Sequence, residues 1–225
     1  MIVNLSYQKS TIKLSKVMNI EVKICGITNL EDALLAIESG ADALGFVFYN
    51  KSSRYCSPED AFLISKKLPP FVSIVGLFVN AKKEEIDKIL AMNFLNAIQF
   101  HGEEKASFCE QFNFPYFKAF GVNKDLDLIQ YEKEFSQAKA FLLDNFDPVQ
   151  KGGTGKIFDW NILKDLNVRK PIIIAGGLNS ENIISLIDLY IPYAVDVSGG
   201  VESEKGKKDK LKLSRFISIV KNGKI

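Results

Sequence analysis

Pro171-Ile172-Ile173-Ile174-Ala175-Gly176-Gly177-Leu178 is the stretch whose reading decides the fold. The apolar run Ile172 to Ala175 is rich in β-branched side chains and reads as a strand buried on both faces. Two glycines follow at once, and a helical pattern begins near Ser180. Glycine lets a backbone approach a ligand without a Cβ in the way, and a helix N-terminus just beyond offers unpaired N–H groups to an anion. The pattern recurs downstream. Tyr193 to Val197 reads as a strand, and Ser198-Gly199-Gly200 follows it. Two neighbouring strand ends carrying such turns are what a phosphate cradle needs, although either pair alone also reads as an ordinary turn.

Working outward, the same alternation fills the chain from Ile20 onward. Glu21 to Cys25 reads as a first strand, and Asn29 as the N-cap of a helix carrying Leu34, Leu35 and Ile37 that ends at Gly40. Ala43 to Phe48 is a second strand, and Ser57-Pro58-Glu59 opens a second helix with proline in its first turn. Val72 to Val79, Ala97 to Phe100, Tyr116 to Phe120 and Ala140 to Asp144 give strands three to six. Helices are expected over Lys82 to Met92, around Phe108 and Phe112, over Asp125 to Phe135, from the cap Asp159, and over Lys210 to Val220. Eight βα alternations in 225 residues predict a single closed (β/α)8 TIM barrel, with its chemistry at the C-terminal ends of the strands. The rival, an open doubly wound sheet, requires Gly-x-Gly-x-x-Gly after the first strand, where this chain has Cys25-Gly26-Ile27-Thr28.

Composition narrows the function. The chain is 47% hydrophobic and 25% charged, with a net charge of +2. That balance points to neither nucleic acid nor an anionic membrane as partner. No apolar run approaches a membrane span. Three scattered cysteines imply no disulfide framework and fit a cytoplasmic protein, and one histidine without paired cysteines leaves little for a metal site. Residues 1–17 lack periodicity, a continuous apolar segment and a cleavage site. They are expected to be a loose tail ahead of a catalytic barrel over residues 18–225, with Met18 an alternative start.

In such a barrel the reactive residues stand at the strand ends. Cys25 closes strand one, with Lys23 on the same strand face; a nearby cation lowers a thiol pKa, so Cys25 reads either as a small buried hydrophobe or as a thiolate. Asp144 closes strand six and Asp196 stands near the end of strand eight; a carboxylate in such a place also serves as a loop cap. Strand two leads into Lys51-Ser52-Ser53-Arg54, and strand four into His101-Gly102. Gly152-Gly153-Thr154-Gly155-Lys156 fails as a nucleotide P-loop, because Ile157 stands where Ser or Thr is needed and Gln150 where the first glycine is needed. A flexible lid over the strand-end face is the better reading.

Together these motifs are far more specific than any one of them. Lys23-Ile24-Cys25-Gly26-Ile27-Thr28, Ala41 to Phe46, Lys51 to Tyr55, Gln99-Phe100-His101-Gly102-Glu103, Gly152 to Gly155, Ala175 to Leu178 and Asp196-Val197-Ser198-Gly199-Gly200-Val201-Glu202 follow in this order. The series resembles the phosphoribosylanthranilate isomerase family of tryptophan biosynthesis, from Met18 to the C-terminus. It departs at Gly199, where the family usually has a second serine, and at Ser53, where proline is usual. The resemblance implies an Amadori rearrangement of N-(5-phosphoribosyl)anthranilate to 1-(2-carboxyphenylamino)-1-deoxyribulose 5-phosphate, with no metal or organic cofactor. Matched position by position, it implies Cys25 as general base and Asp144 as general acid, the latter kept protonated by burial. Arg54 would grip the anthranilate carboxylate as a two-donor fork, with His101 and Asp196 also on the substrate. Gly176, Gly177, Ser198 and Gly199 would hold the phosphate. A monomer or a homodimer is expected. Another phosphosugar barrel enzyme of histidine or tryptophan biosynthesis, or a non-catalytic phosphate-binding barrel, remains the alternative; the first would need two aspartates, or a lysine and a glutamate, where strand one ends in Cys25, and Cys25 together with Asp144 argues against the second.

Overall fold

The structure, a computed structural model, describes residues 20–123, 126–145 and 157–223. Its first half is strictly alternating: β1 (Glu21–Cys25), α1 (Leu30–Glu38), β2 (Ala43–Val47), α2 (Pro58–Ser65), β3 (Ser73–Phe78), α3 (Lys83–Ala91), β4 (Ala97–Phe100) and α4 (Ala106–Cys109). The second half runs β5 (Tyr116–Val122), α5 (Leu128–Glu134), β6 (Phe141–Asn145), β7 (Ile172–Ile174), α6 (Ile183–Leu189) and β8 (Ala194–Val197). A small antiparallel pair follows, β9 (Glu202–Glu204) with β10 (Lys207–Lys208), and then α7 (Lys210–Asn222). Strands β1 to β8 pair in sequence order and all in parallel, and β8 pairs back onto β1 with Glu21 beside Ala194 and Lys23 beside Asp196. The sheet is thus the closed eight-stranded barrel expected of the sequence.

Alternation along each strand divides the apolar residues into two shells. Val22 and Ile24, Leu44 and Phe46, Ile98 and Phe100, Ile172 and Ile174 belong to one large cluster that also holds the helix residues Ala33, Ile86, Ile183 and Phe216. Val75, Phe117, Ala119, Leu142, Ile173, Ala175 and Ala194 form a second cluster, which fills the barrel. The outer shell takes most of the large rings, and the inner one is rich in alanine because eight strands enclose little space. Cys25, Val47 and Leu77 make a third, smaller group. Ile172 to Ile174 is buried throughout, since Ile173 fills the barrel while its two neighbours meet the helices.

The caps follow the sequence closely at the start of the chain. Asn29 Oδ1 accepts from the Asp32 N–H at 2.8 Å, and Ser57 Oγ accepts from the Asp60 N–H at 3.0 Å. Two expectations require correction. The segment after Asp159 is a 3-10 helix, Trp160–Asp165, in place of an α-helix. The helix after β7 starts at Ile183, not near Ser180, because Asn179 and Asn182 first bond each other's backbone N–H groups in a turn. The β9–β10 pair carried no strand pattern in the sequence. Residues 1–17, read as a loose tail, and Gly152 to Lys156, read as a lid, lie outside the described residues.

Every partner that closes the barrel lies downstream of Ile20, whose side chain is already buried. A chain starting at Met18 is therefore expected to keep the melting temperature and kcat/KM of the full protein. Thermal melts and size measurements of the two forms check this; a drop of many degrees or a changed oligomeric state would assign the first residues to the structure.

Candidate active site

The inner face of β1 carries two reactive side chains in succession. Lys23 Nζ donates to both carboxylate oxygens of Asp196 on β8, each at 2.9 Å, and both side chains are buried. Strand alternation puts Cys25 on the same face, one pleat nearer the mouth. The facing residue on β2 is Gly45, where a Cβ would come within 2.9 Å of Lys23 Nζ and 3.0 Å of Cys25 Sγ. Glycine here makes room for the lysine and the thiol to lean together.

The electrostatics of this pair bear on the two readings of Cys25. Burial raises the Cys25 pKa; Lys23 pulls it down, but Asp196 adds to the rise, and the net direction is up. That direction favours the thiol at rest, the first of the two readings the sequence left open. Burial works against the Lys23 charge too, but Asp196 and Cys25 outweigh it, and the Lys23 pKa rises.

Asp144 lies on β6, three strands from β1 around the closed side of the ring through β7 and β8. Its Oδ1 accepts from the Asn145 N–H at 2.7 Å, and its Oδ2 lies 3.3 Å from His101 Nε2. His101 follows β4, and its Nδ1 is 2.7 Å from Gln99 Nε2. A cavity of about 350 Å³ opens beside His101 and Asp144, lined further by Lys118, Phe120 and Tyr131.

Between the thiol and this carboxylate lie the two glycine turns. Gly176 has φ +81° and Gly177 φ +66°, the left-handed region that favours glycine. A Cβ on Gly176 would also stand 2.7 Å from both Asp144 Oδ1 and the Asn145 nitrogen. The turn after β7 is thus pressed against the end of β6, a second reason for glycine besides ligand approach. After β8, Ser198 enters a single 3-10 turn, Gly199–Val201, and a Cβ on Gly200 would run into the Leu178 carbonyl.

Arg54 reaches this mouth from the loop after β2. Its Nε and Nη2 each donate to one Glu202 oxygen at 2.7 Å. The Nε side of the guanidinium is therefore occupied, and the fork left for a ligand is the end formed by Nη1 and the second Nη2 proton. A Cβ on Gly199 would sit 3.1 Å from that Nη2, so the absence of a serine here leaves the guanidinium room. Glu202 also accepts from Lys208 at 2.9 Å, and Lys208 donates to the Cys25 carbonyl at 2.7 Å. Burial disfavours the Glu202 charge, but Arg54 and Lys208 hold its pKa below the usual carboxylate range. Burial pushes the Lys208 pKa down despite Glu202.

Cys25, Asp144, His101, Asp196, Arg54 and the four phosphate candidates thus meet at the C-terminal end of one barrel. Sequence reasoning assigned no role to Gln99, Glu202 or Lys208. Glu202 stood inside a quoted motif, and its position after the strand-eight glycines was the available signal. Lys208 sits on β10, which no pattern announced. A third buried lysine, Lys118, lies in the outer shell and donates to the Phe100, Gly102 and Ala119 carbonyls and to Glu104, bracketing the His101 loop. Among the described residues, no three His, Cys, Asp or Glu side chains are placed to hold a metal. No described helix is long and apolar enough to cross a membrane.

Because burial outweighs Lys23, a thiolate absorbance near 240 nm in the native protein, taken as the difference from Cys25→Ser, should appear only above the ordinary thiol range. A signal already complete at neutral pH would reverse the sign assigned to this site.

Comparisons with known proteins agree on one family. The sequence model for N-(5′-phosphoribosyl)anthranilate (PRA) isomerase matches residues 22–219. A curated N-(5′-phosphoribosyl)anthranilate isomerase of Nitrosospira multiformis is 46% identical over 200 residues, 89% of this chain and 96% of its own length. The crystal structure of phosphoribosyl anthranilate isomerase from Thermotoga maritima superposes with a TM-score of 0.82 at 46% identity, over 90% of this chain and 98% of that one. A phosphoribosyl anthranilate isomerase solved in complex with reduced 1-(o-carboxyphenylamino)-1-deoxyribulose 5-phosphate superposes with a TM-score of 0.77 at 45% identity, over 90% of this chain and 98% of that one.

Proposed function

The chain belongs to the N-(5′-phosphoribosyl)anthranilate isomerase family of tryptophan biosynthesis, and from that premise we propose how its own residues divide the work of the Amadori rearrangement. The observation that carries the division is the pairing at one mouth of a thiol beside an ammonium, Cys25 with Lys23, and a carboxyl group beside an imidazole, Asp144 with His101.

Asp144 gives its proton to the furanose ring oxygen. The C1′–O bond breaks, and the anilino nitrogen supplies the electron pair that makes the cationic Schiff base. Cys25 then removes the proton from C2′, and those electrons form the C1′–C2′ double bond as the nitrogen regains its pair. The resulting enolamine becomes the ketone. Cys25 takes the C2′ proton as its thiolate, the minor form at rest; the thiol proton leaves to solvent before the step, and the cation formed by ring opening favours that ionisation. Lys23, held by Asp196, supplies further positive charge beside the sulfur.

Backbone N–H groups around Gly176, Gly177 and Gly199, with the Ser198 hydroxyl, take the phosphate. The free end of Arg54 takes the anthranilate carboxylate, and Glu202 keeps the guanidinium in place. The partner is a small phosphosugar; a Thermotoga maritima relative is described as dimeric, and this chain acts as a monomer or homodimer. A cytoplasmic site of action fits its three free cysteines.

Decay of anthranilate fluorescence with freshly made substrate tests the scheme. Cys25→Ala and Asp144→Asn should each lower turnover by about 10²–10⁴-fold with the fold intact. Near-normal turnover in either variant removes that residue from its role. Arg54→Ala should raise KM more than it lowers kcat, because the carboxylate it holds keeps its charge throughout the reaction. A fall in kcat alone would place Arg54 in the transition state instead. Its melting temperature should be read alongside, since Glu202 is then left with Lys208 as its remaining cation.

A further inference from the structure

Gln99 stands inside the barrel on β4, fully buried, beside Leu77 of β3 and Phe117 of β5. Most of its inner-face neighbours are alanine, valine, leucine or isoleucine. Its Oε1 has no hydrogen-bond partner among the described residues. A buried amide with an unpaired oxygen costs stability that an apolar side chain of similar size avoids. Packing therefore gives no reason for glutamine here. The other end of the amide supplies one, because Nε2 lies 2.7 Å from His101 Nδ1.

We propose that Gln99 is a positioning residue that keeps the His101 proton on Nε2, so that the imidazole donates to Asp144 when that acid gives up its proton. A ring nitrogen that accepts an amide N–H must present its lone pair, which leaves the proton of a neutral imidazole on the other nitrogen. That nitrogen is 3.3 Å from Asp144 Oδ2, while Oδ1 already receives the Asn145 N–H. Each carboxylate oxygen then has a donor as negative charge develops on it, and neither donor has to reorganise. His101 itself transfers no proton. With the amide turned over, Oε1 would accept from Nδ1–H, and a lone pair would face Asp144; the imidazole would then oppose the charge it is placed to receive. The inference rests on the assignment of Asp144 as the acid.

The chain has one histidine, so a ¹⁵N-histidine-labelled protein gives a single imidazole in a long-range ¹H–¹⁵N spectrum. The native protein should show a pyrrole-type Nε2 and a pyridine-type Nδ1. Gln99→Glu places an acceptor against Nδ1 and should move a proton onto that nitrogen. It should also lower kcat by roughly 10–100-fold, less than removal of a direct transition-state donor usually costs, with KM little changed. Gln99→Met removes the amide without adding charge and should lower kcat by a smaller factor. In a His101→Asn background the same methionine should cost nothing further, since no tautomer is left to set. A protonated Nδ1 in the native protein overturns the proposal. So does undiminished kcat in both Gln99 variants, or additive losses from Gln99→Met and His101→Asn. Misfolding of one Gln99 variant leaves the native spectrum and the other variant to decide. Full turnover in Asp144→Asn would instead refute the acid assignment, and the spectrum would still report whether Gln99 sets the tautomer.

Discussion

The ammonium of Lys23, enclosed in the barrel between both oxygens of Asp196, is the contact on which the mouth depends. It joins β1 to β8, the first barrel strand to the last, at adjacent register positions. A charge taken from water at this depth is tolerable only when paired, and removing one partner of such a pair typically costs about 3–5 kcal/mol. The ion pair is therefore a poor source of stability compared with apolar packing. What it provides is a fixed positive charge beside the Cys25 sulfur, with its own counter-charge on Asp196. Gly45 completes the arrangement by leaving the space into which the two side chains lean.

A second charged group holds the rim as the first holds the interior. Arg54, Glu202 and Lys208 connect the loop after β2 with the segment after β8, and Lys208 reaches back to the carbonyl of Cys25. Glu202 carries two cations and so sets the position of both. The thiol, its strand end and the guanidinium are tied into one framework before any ligand arrives. Binding then needs little reordering of long side chains, which is where much of the cost of recognition otherwise lies.

Most of the fold could be read from the chain because each strand–helix unit announces itself locally. Asn29 and Ser57 mark helix starts by their own side-chain chemistry, and Ile172 to Ile174 declares a doubly covered strand by composition. The candidate site was legible where a single strand end carries the signal, as at Cys25, Asp144 and the glycine pairs. Features that depend on distant segments were not. The direction of the Cys25 pKa is set first by burial, which the folded barrel supplies, and Asp196, remote in sequence, adds to it against the lysine two residues away. The Arg54 fork looked free because its partner, Glu202, lies 148 residues further on. Gln99 stood inside a quoted motif with no role of its own, and only the folded barrel shows that its amide oxygen lacks a partner among the described residues. The 3-10 turn after Asp159 misled for a different reason, since its cap is the same chemistry that opens an α-helix.

Lys23 and Asp196 are 173 residues apart in the chain. On a ribosome the lysine emerges early and its counter-ion near the end. Until then β1 is an open edge, and its inward charge has only water for a partner. Successive strands add on the other side of β1 as they appear, each against its predecessor, but the ring has no last wall until β8 is made. A lysine on the inner face of an unfinished sheet resists burial, and so discourages another chain from pairing with it too soon. The residue that tunes the finished mouth is in this way also a guard on the nascent one, released from that duty by the strand that neutralises it.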